Sequence, residues 1–513
     1  MAVLSFGCEG LVRGLWIAVT FAVLYPLITI LYNITLHPLS SYPGPLLWRS
    51  TRLAYLYSLW TGWLHSDVQS LHQKFGPVVR IAPDELSFAD PAAWEEIYSN
   101  QGATPAFPKS ALWHAPQPGR PVSVLNALDA KVHAKMRRKM DPAFTERAVG
   151  RQEGIVRGYV ELMIEKLRER VRENGGTEAV VNVVQWYNFA SVDIISDLAF
   201  GESFGCLEKG ELDEWVKLIF NSFRAATLVA NLRHYPLLNW VLGFAVPRRV
   251  KEKAEEHWQL VLDKVDKRLR EETERPDFIA EWRKRKGKEE SMELDELYAN
   301  AFLIIIAGSE TIATTISGIT NRLVRNPEKL EMLAEEVRSR IEKEEDMTIA
   351  KLKELPYLSA VIWEGFRMCN PTPVGLPRLS PPEGGTVCGH WVPGNVFVNL
   401  HPLSLCFDPS RFYDPQSFHP ERWLPKTIRN STSPFYNDDR NSVQPFSIGP
   451  RSCIGRPLAM AELMLTLARM VWSFNLKEVD ETNAGRLEWE SQRTFTVVEK
   501  KPFEVKLIPR LDR

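Results

Sequence analysis

Near its C-terminal end the chain reads Phe446-Ser-Ile-Gly449-Pro-Arg451-Ser-Cys453-Ile-Gly455. A single cysteine stands in a loop bracketed by glycines, with an arginine two residues before it. Glycine allows tight turns that other residues resist, so such a loop can aim several backbone N–H groups at one sulfur. The segment that follows, Arg456-Pro-Leu-Ala-Met-Ala-Glu-Leu-Met-Leu-Thr-Leu, has a proline near its start and then an apolar helical pattern. Proline suits the first turn of a helix. Cys453 is therefore expected just before a helix N-terminus, where the dipole favours thiolate over thiol. A thiolate held this way is a good single axial ligand for a haem iron. The bland alternative, a buried cysteine in an ordinary turn, is disfavoured by the completeness of the pattern.

Three further groups have suggestive spacing. Glu364-Gly-Phe-Arg367 places an acid and a base on one helical face, and Phe418-His-Pro-Glu-Arg422-Trp423 follows downstream. Lys131-Val-His133-Ala-Lys135-Met-Arg137-Arg138-Lys139 reads as a helix with His133 and Arg137 one turn apart. Lys131, Lys135, Arg138 and Lys139 fall roughly opposite and are expected to face solvent. Ala307-Gly308-Ser309-Glu310-Thr311 sits in the middle of a long apolar pattern from Glu293 to Arg325, which reads as a central buried helix. A glycine, an acid and a hydroxyl there need a reason. The bland one is a kink with the threonine bonded to a backbone carbonyl.

The elements that must position these groups are mostly helical. Helical patterns are predicted over Leu64–Lys74, Ala130–Met140, Gly154–Glu173, Val183–Phe200, a charge-rich pair across Val250–Lys286, Glu328–Lys343 and Lys351–Arg367. Val78 to Phe88 reads as a strand pair with a Pro-Asp turn, and Val396-Phe-Val-Asn is β-like. Gln101 to Asp129 is loop-like, and Asn430 to Asn441 is expected to be a surface loop. The sum is mainly α with small β-sheets near both ends of the body (α+β), and no linker divides it. Hydrophobic residues make up 44% and charged residues 25% of the 513, enough apolar material for a large core. A net charge of −1 argues against nucleic acid as a partner.

Leu15 to Tyr32 carries no charged residue and is just long enough to span a bilayer as a helix. Pro26 inside it is tolerable in a membrane. A cleaved signal peptide would usually have a shorter apolar run and a small-residue cleavage site. Arg49 and Arg52 follow the segment and only Arg13 precedes it, a bias toward a cytosolic body. Residues 1–36 are thus expected to be a membrane anchor and 37–513 a single catalytic domain. The other five cysteines, Cys8, Cys206, Cys369, Cys388 and Cys406, are scattered and are expected to be reduced packing thiols. Two glycosylation sequons, at Asn33 and Asn430, are expected to be unused.

The Cys453 loop resembles the haem-ligand loop of the cytochrome P450 superfamily, Phe-x-x-Gly-x-Arg-x-Cys-x-Gly, at every fixed position. The resemblance spans the body from about Ser40. It implies the P450 fold and a haem b cofactor, with Cys453 as axial ligand and Phe446 and Gly455 as loop neighbours. Glu364 and Arg367 would lock onto Arg422 as structural support behind the loop. Arg137, Arg378 and Arg451 would bind haem propionates, as would His133, which replaces the family's usual Trp. Arginine offers carboxylates planar paired donors. Residues 307–311 match the oxygen-binding pattern. Gly308 would leave room above the iron, Thr311 would orient a water and relay protons, and Glu310 would feed it. Ile312 stands where the family usually has a second hydroxyl.

Phrases such as Phe75-Gly-Pro-Val-Val-Arg-Ile-Ala-Pro-Asp-Glu-Leu-Ser-Phe are similar to membrane-bound enzymes of filamentous fungi, many of which oxidise polyketide, terpenoid or alkaloid scaffolds. The resemblance implies an endoplasmic-reticulum monooxygenase that takes electrons from NADPH through cytochrome P450 reductase, with cytochrome b5 as an optional second donor. The lysine-rich face would dock the donor. The alternatives are a reductase-independent isomerase, dehydratase or peroxygenase, or a haem-binding sensor or carrier without turnover. The pocket walls would come from Phe107–Asn126, Phe220–Leu232, Leu303, Ala307, Val374 and Phe495, which are mostly apolar and suit a lipophilic substrate.

Overall fold

The long apolar pattern forms a 31-residue helix, Leu294–Val324, and the rest of the protein is assembled around it. In this computed structural model the described residues are 2–102, 104–116, 119–236, 240, 248–271, 274–283, 291–479 and 487–510. The helices that matter for the site are α1 (Ala2–Thr35), α2 (Ala130–Met140), α3 (Glu146–Glu173), α4 (Val183–Phe200), α5 (Arg248–Arg270), α6 (Leu294–Val324), α7 (Pro327–Arg340), α8 (Pro356–Met368) and α9 (Arg456–Ser473).

Helix α6 opens with a capping box in which Glu293 and Glu296 each satisfy the other's backbone. Three glycines let its neighbours approach closely. A Cβ at Gly308 would lie 2.6 Å from the Ile195 side chain of α4. One at Gly318 would lie 2.5 Å from Cys369, and one at Gly365 of α8 would lie 2.2 Å from Ile319. The main apolar core runs along these contacts and joins α3, α4, α6, α8 and α9.

The strands used below are β1 (Val78–Ala82), β2 (Glu85–Phe88), β3 (Ala179–Asn182), β4 (Arg378–Leu379), β5 (Phe397–Leu400), β6 (Phe474–Glu478), β7 (Thr494–Phe495), β8 (Val497–Val498) and β9 (Glu504–Pro509). One sheet has the order β1-β2-β5-β4. β2 runs parallel to β5 with Glu85 opposite Phe397, and β4 is antiparallel to β5 with Arg378 opposite Val398. A second sheet has the order β3-β9-β6. The sheets thus join distant parts of the chain instead of standing separately at its two ends.

Most predicted elements form, with three corrections. Lys351–Arg367 is not one helix. A short turn, Ile349–Leu352, stops, and α8 starts afresh at Pro356 because proline forces the preceding Leu355 to an extended conformation. Helix α3 begins earlier than expected, because Thr145 caps it through a 3.2 Å bond from the Ala148 N–H. The predicted exposed basic face is incomplete. Lys131, Lys135 and Arg138 are exposed, whereas Lys139 is buried in an ion pair with Glu296 at 2.7 Å.

Helix α1 continues past Pro26 and presents a series of exposed large apolar side chains, among them Trp16, Leu24, Ile28 and Leu31. Its end is fastened to the body. The Asn33 side chain donates to Ser50 O at 2.9 Å, and the buried Arg80 donates to the backbone oxygens of Asn33 at 2.8 Å and Leu39 at 3.2 Å. Among the described residues, the helix long and apolar enough to cross a membrane is α6, whose apolar window is 67% buried in the core. Cys206, Cys369 and Cys406 are free and buried, and Cys388 is free and half-buried. The side chain of Cys8 lies outside the described residues.

Candidate functional site

The Cys453 loop turns twice and leads directly into α9. At Gly449 φ is +73°, and a Cβ there would lie 2.1 Å from the Tyr98 carbonyl oxygen, so both conformation and space demand glycine. Gly455 differs. Its φ of −79° suits any residue, and a Cβ would sit 3.9 Å from the Cys453 sulfur, an ordinary contact. Its missing side chain therefore leaves the flank of the sulfur open. The Cys453 N–H donates to Phe446 O at 2.8 Å and closes the loop. Burial pushes the thiol upward, while the Gly455 N–H, the Arg137 guanidinium and the Arg456 N–H pull it back. The exposed surface of Cys453 faces an internal cavity, not the outside.

That cavity holds about 290 Å³ and is mainly apolar. Ala307, Gly308 and Thr311 of α6 form one wall, and Phe446, Cys453 and Ile454 are among the residues of the other. At its rim lies a cluster of cations. Arg451 donates to Ala127 O at 2.7 Å and Leu128 O at 3.0 Å. Arg378 lies over the Tyr98 ring at 4.9 Å. Arg137 reaches Ser452 O at 2.6 Å and pairs with Asp141 at 2.6 Å. His133 is buried on the same face of α2. Lys109 and His114 join them from the proline-rich loop.

Among the described residues, Arg378, Arg451 and Lys109 form no ion pair, and the cluster bears the electrostatic consequence. Burial and then the neighbouring Arg378 and Arg451 push Lys109 down to about 7. Burial, then Arg451 and Lys109, push His133 down to about 4. Burial, then Lys109 and Arg378, push His114 down to about 3. A rim of mutually repelling cations around an apolar slot with one sulfur fits a flat apolar group that carries carboxylates at its edge and accepts a sulfur ligand.

Behind the loop the predicted triad closes. Glu364, Arg367 and Arg422 are all fully buried. Arg367 grips Glu364 through two bonds, of 2.7 and 3.0 Å, and Arg422 Nε donates to it at 3.1 Å. The His419 N–H adds a bond of 3.0 Å and Trp423 Nε1 one of 2.9 Å. Burial alone would raise the Glu364 carboxyl, but the paired Arg367 and Arg422 hold it down to about 2. The remaining Arg367 donors find the carbonyls of Cys406 and Pro415, each at 2.7 Å. Arg422 also pairs with Asp438, which comes from the stretch expected to be plain surface loop.

On α6 the bland and functional readings coexist. The Thr311 hydroxyl donates to Ala307 O at 2.7 Å while its side chain lines the cavity. Gly308 also lines it, but the space left by its missing Cβ is taken by Ile195, so the glycine serves helix packing. Glu310 is buried and paired with Lys500. Ile312 presents a hydrocarbon surface to the cavity.

Of the expected pocket walls, Ala307 lines this cavity. Phe107 is buried near Gly385, Val374 packs with Val79 and Ile81, and Phe495 lies under Arg224. Leu303 is half-buried on α6. The side chain of Phe220 lies outside the described residues. Sequence reasoning missed Asp438, Lys500 and Glu462, and it took Lys109 and His114 only as part of the Phe107–Asn126 wall and Trp423 only as part of a motif. Glu462 alone left a visible signal, as an acid inside the apolar run of α9. It lines the cavity, and burial pushes it up to about 8 despite a bond with Ser191.

Comparison with known proteins agrees with this geometry. The family model described as Cytochrome P450 matches residues 40–507. The chain is 39% identical over 504 residues to cytochrome P450 monooxygenase atr2 of Stereocaulon alpinum, covering 98% of this chain and 97% of that one. It is 38% identical over 481 residues to cytochrome P450 monooxygenase astJ of Aspergillus oryzae, covering 93% and 94%. It is 35% identical over 488 residues to averantin hydroxylase of Dothistroma septosporum, covering 95% and 90%.

Proposed function

The chain belongs to the cytochrome P450 family, and on that premise we propose that Cys453 is the axial thiolate of its haem and that residues 307–311 form the oxygen side of the site. The protein is a haem-dependent monooxygenase, an oxidoreductase that uses O2, a redox partner and a small-molecule substrate. When bound, the haem supplies the oxygen activation that places one oxygen atom in the substrate and reduces the other to water. The protein supplies position, charge and protons.

The carrying observation is the pairing of an inward-facing sulfur with a cationic rim in which Arg378, Arg451 and Lys109 form no ion pair among the described residues. Two backbone amides and the dipole of α9 favour the thiolate at Cys453. Arg137, Arg378 and Arg451, together with Lys109, would neutralise the propionates of a haem b. His133, held neutral, would donate a hydrogen bond in place of a cation. Phe446 and Gly455 flank the sulfur. Glu364, Arg367 and Arg422, completed by Asp438, keep the loop in register. Thr311 would release Ala307 O and turn its hydroxyl toward a water in the cavity, and Glu310 would resupply the proton.

Residues 1–36 serve in this reading as a single-pass anchor in the endoplasmic reticulum, with 37–513 as the cytosolic catalytic domain. The exposed apolar flank of α1 supports the anchor. NADPH-cytochrome P450 reductase, and optionally cytochrome b5, would dock on Lys131, Lys135 and Arg138. The apolar cavity supports a lipophilic substrate. Its similarity to fungal monooxygenases supports a substrate from secondary metabolism, a polyketide, terpenoid or alkaloid. The test is the reduced carbon monoxide difference spectrum. Wild-type protein is expected to give the red-shifted Soret band of a thiolate-ligated haem, and Cys453→Ser to lose it while remaining folded. A normal band in Cys453→Ser would overturn the ligand assignment.

A further inference from the structure

Glu310 and Lys500 form an ion pair against the middle of α6, with side chains only 9% and 5% exposed. A carboxylate and an ammonium buried this deeply are costly unless paired, and removing either partner strands the other. Lys500 also donates to the Thr314 hydroxyl at 3.2 Å, so it contacts α6 at two positions one turn apart. One Glu310 oxygen, Oε2, is buried without a hydrogen-bond partner among the described residues.

The backbone that delivers Lys500 is fixed independently. The Glu499 N–H donates to Arg493 O at 2.8 Å, and the Lys501 N–H donates to Gln492 Oε1 at 2.9 Å. Just before it, β7 and β8 pair as a two-stranded ladder, Val497 opposite Phe495 and Val498 opposite Thr494. Lys500 therefore arrives from a braced hairpin, not from a loose tail. The remaining hydroxyls around Glu310 are turned to the helix backbone. Ser309 donates to Ile305 O at 2.6 Å, Thr311 to Ala307 O at 2.7 Å, and Thr315 to Thr311 O at 2.9 Å.

We propose that Lys500 is the positioning residue for Glu310, fixing the orientation of its carboxylate on α6. Lys500 does not touch substrate or cofactor in this scheme and acts only through Glu310. The proposal rests on the proton-delivery role given to Glu310 and Thr311 above, and its test separates the two.

Four variants are compared: Lys500→Met, Lys500→Arg, Glu310→Gln and Thr311→Ala. The first readout is product formed per NADPH consumed, with peroxide released as the complement. The second is hydrogen exchange of the 304–318 amides in the resting protein, which needs no turnover. Lys500→Met is expected to lower coupling by less than the roughly hundredfold worth of a positioned proton donor, and to speed exchange around Glu310. Its carbon monoxide spectrum is expected to remain normal, and Lys500→Arg to restore most of the coupling. Normal coupling in Lys500→Met, with Glu310→Gln and Thr311→Ala both uncoupled, would overturn the role of Lys500 alone. Normal coupling in Glu310→Gln and Thr311→Ala would overturn the relay itself. Equal loss in Lys500→Met and Lys500→Arg, with a lowered melting temperature in both, would make Lys500 merely structural.

Discussion

Two groups of charge flank the Cys453 loop, and they are built on opposite principles. Behind the loop, Glu364, Arg367, Arg422 and Asp438 satisfy one another and the surrounding carbonyls. In front of it, Arg378, Arg451 and Lys109 point at a shared rim with no ion-pair partner among the described residues. The first is a finished joint. The second is half of a joint whose other half, in the proposed reading, would be the propionates of the haem. Complete compensation marks a group that holds the fold, and missing compensation marks one that waits for a ligand.

The largest effect should come from breaking the finished joint. Glu364→Ala strands two fully buried guanidiniums and is expected to cost about 3–5 kcal/mol, read as a lowered urea midpoint and little haem-loaded protein. Next is the loop that separates the two groups. Gly449→Ala is expected to cost more than the roughly 1–2 kcal/mol of a left-handed residue, because the new methyl meets the Tyr98 carbonyl. A full carbon monoxide band at wild-type temperature stability would refute that.

The unfinished joint should respond with opposite signs in its two states. Arg378→Met removes a repelling cation from the apo-protein and is expected to raise its urea midpoint. In the loaded protein the same change should speed haem loss to an acceptor about tenfold, the worth of one charge-assisted bond of about 1.5 kcal/mol. If both states shift the same way, the contrast between the regions fails.

Acid sharpens the comparison further. His133 has a folded value of about 4 against an ordinary 6.5. Between those values the unfolded chain binds a proton that the fold refuses, so apo-protein stability should fall as pH drops through that window. Haem carboxylates beside His133 should shrink the loss, which parallel urea titrations of both forms would show. Glu462 is expected to show the opposite dependence. Burial raises it to about 8 from 4.5, so the fold keeps a proton there that the unfolded chain has lost. The stability this group contributes is full below 4.5 and lost as pH rises toward 8. Glu462→Gln should change the urea midpoint little at pH 5 and raise it clearly near pH 8.

What could be read beforehand follows from range. The Cys453 loop, the Glu364 and Arg367 pair and the bounds of α2 and α4 depend on neighbours within a turn or two, and each is visible as local spacing. Asp438 was read as surface, because nothing in a polar stretch announces that one carboxylate folds back onto Arg422. Lys139 fell on an apparently solvated helix face, and only the approach of Glu296 buries it. The close packing of Ile195 on Gly308 is equally invisible in the sequence, since Ile195 lies more than a hundred positions away. Lys500 lies farther still from Glu310.

The fastening of α1 has a mechanical consequence. With Asn33 bonded to Ser50 and the backbone at Asn33 and Leu39 gripped by Arg80, the helix meets the body at a stiff joint instead of a swivel. A stiff joint transmits torque. Any tilt imposed on α1 by its surroundings must turn the body with it, and the mouth of the cavity keeps one bearing relative to that axis. A change at Arg80 would therefore alter the direction from which the cavity is approached while leaving every residue inside it untouched.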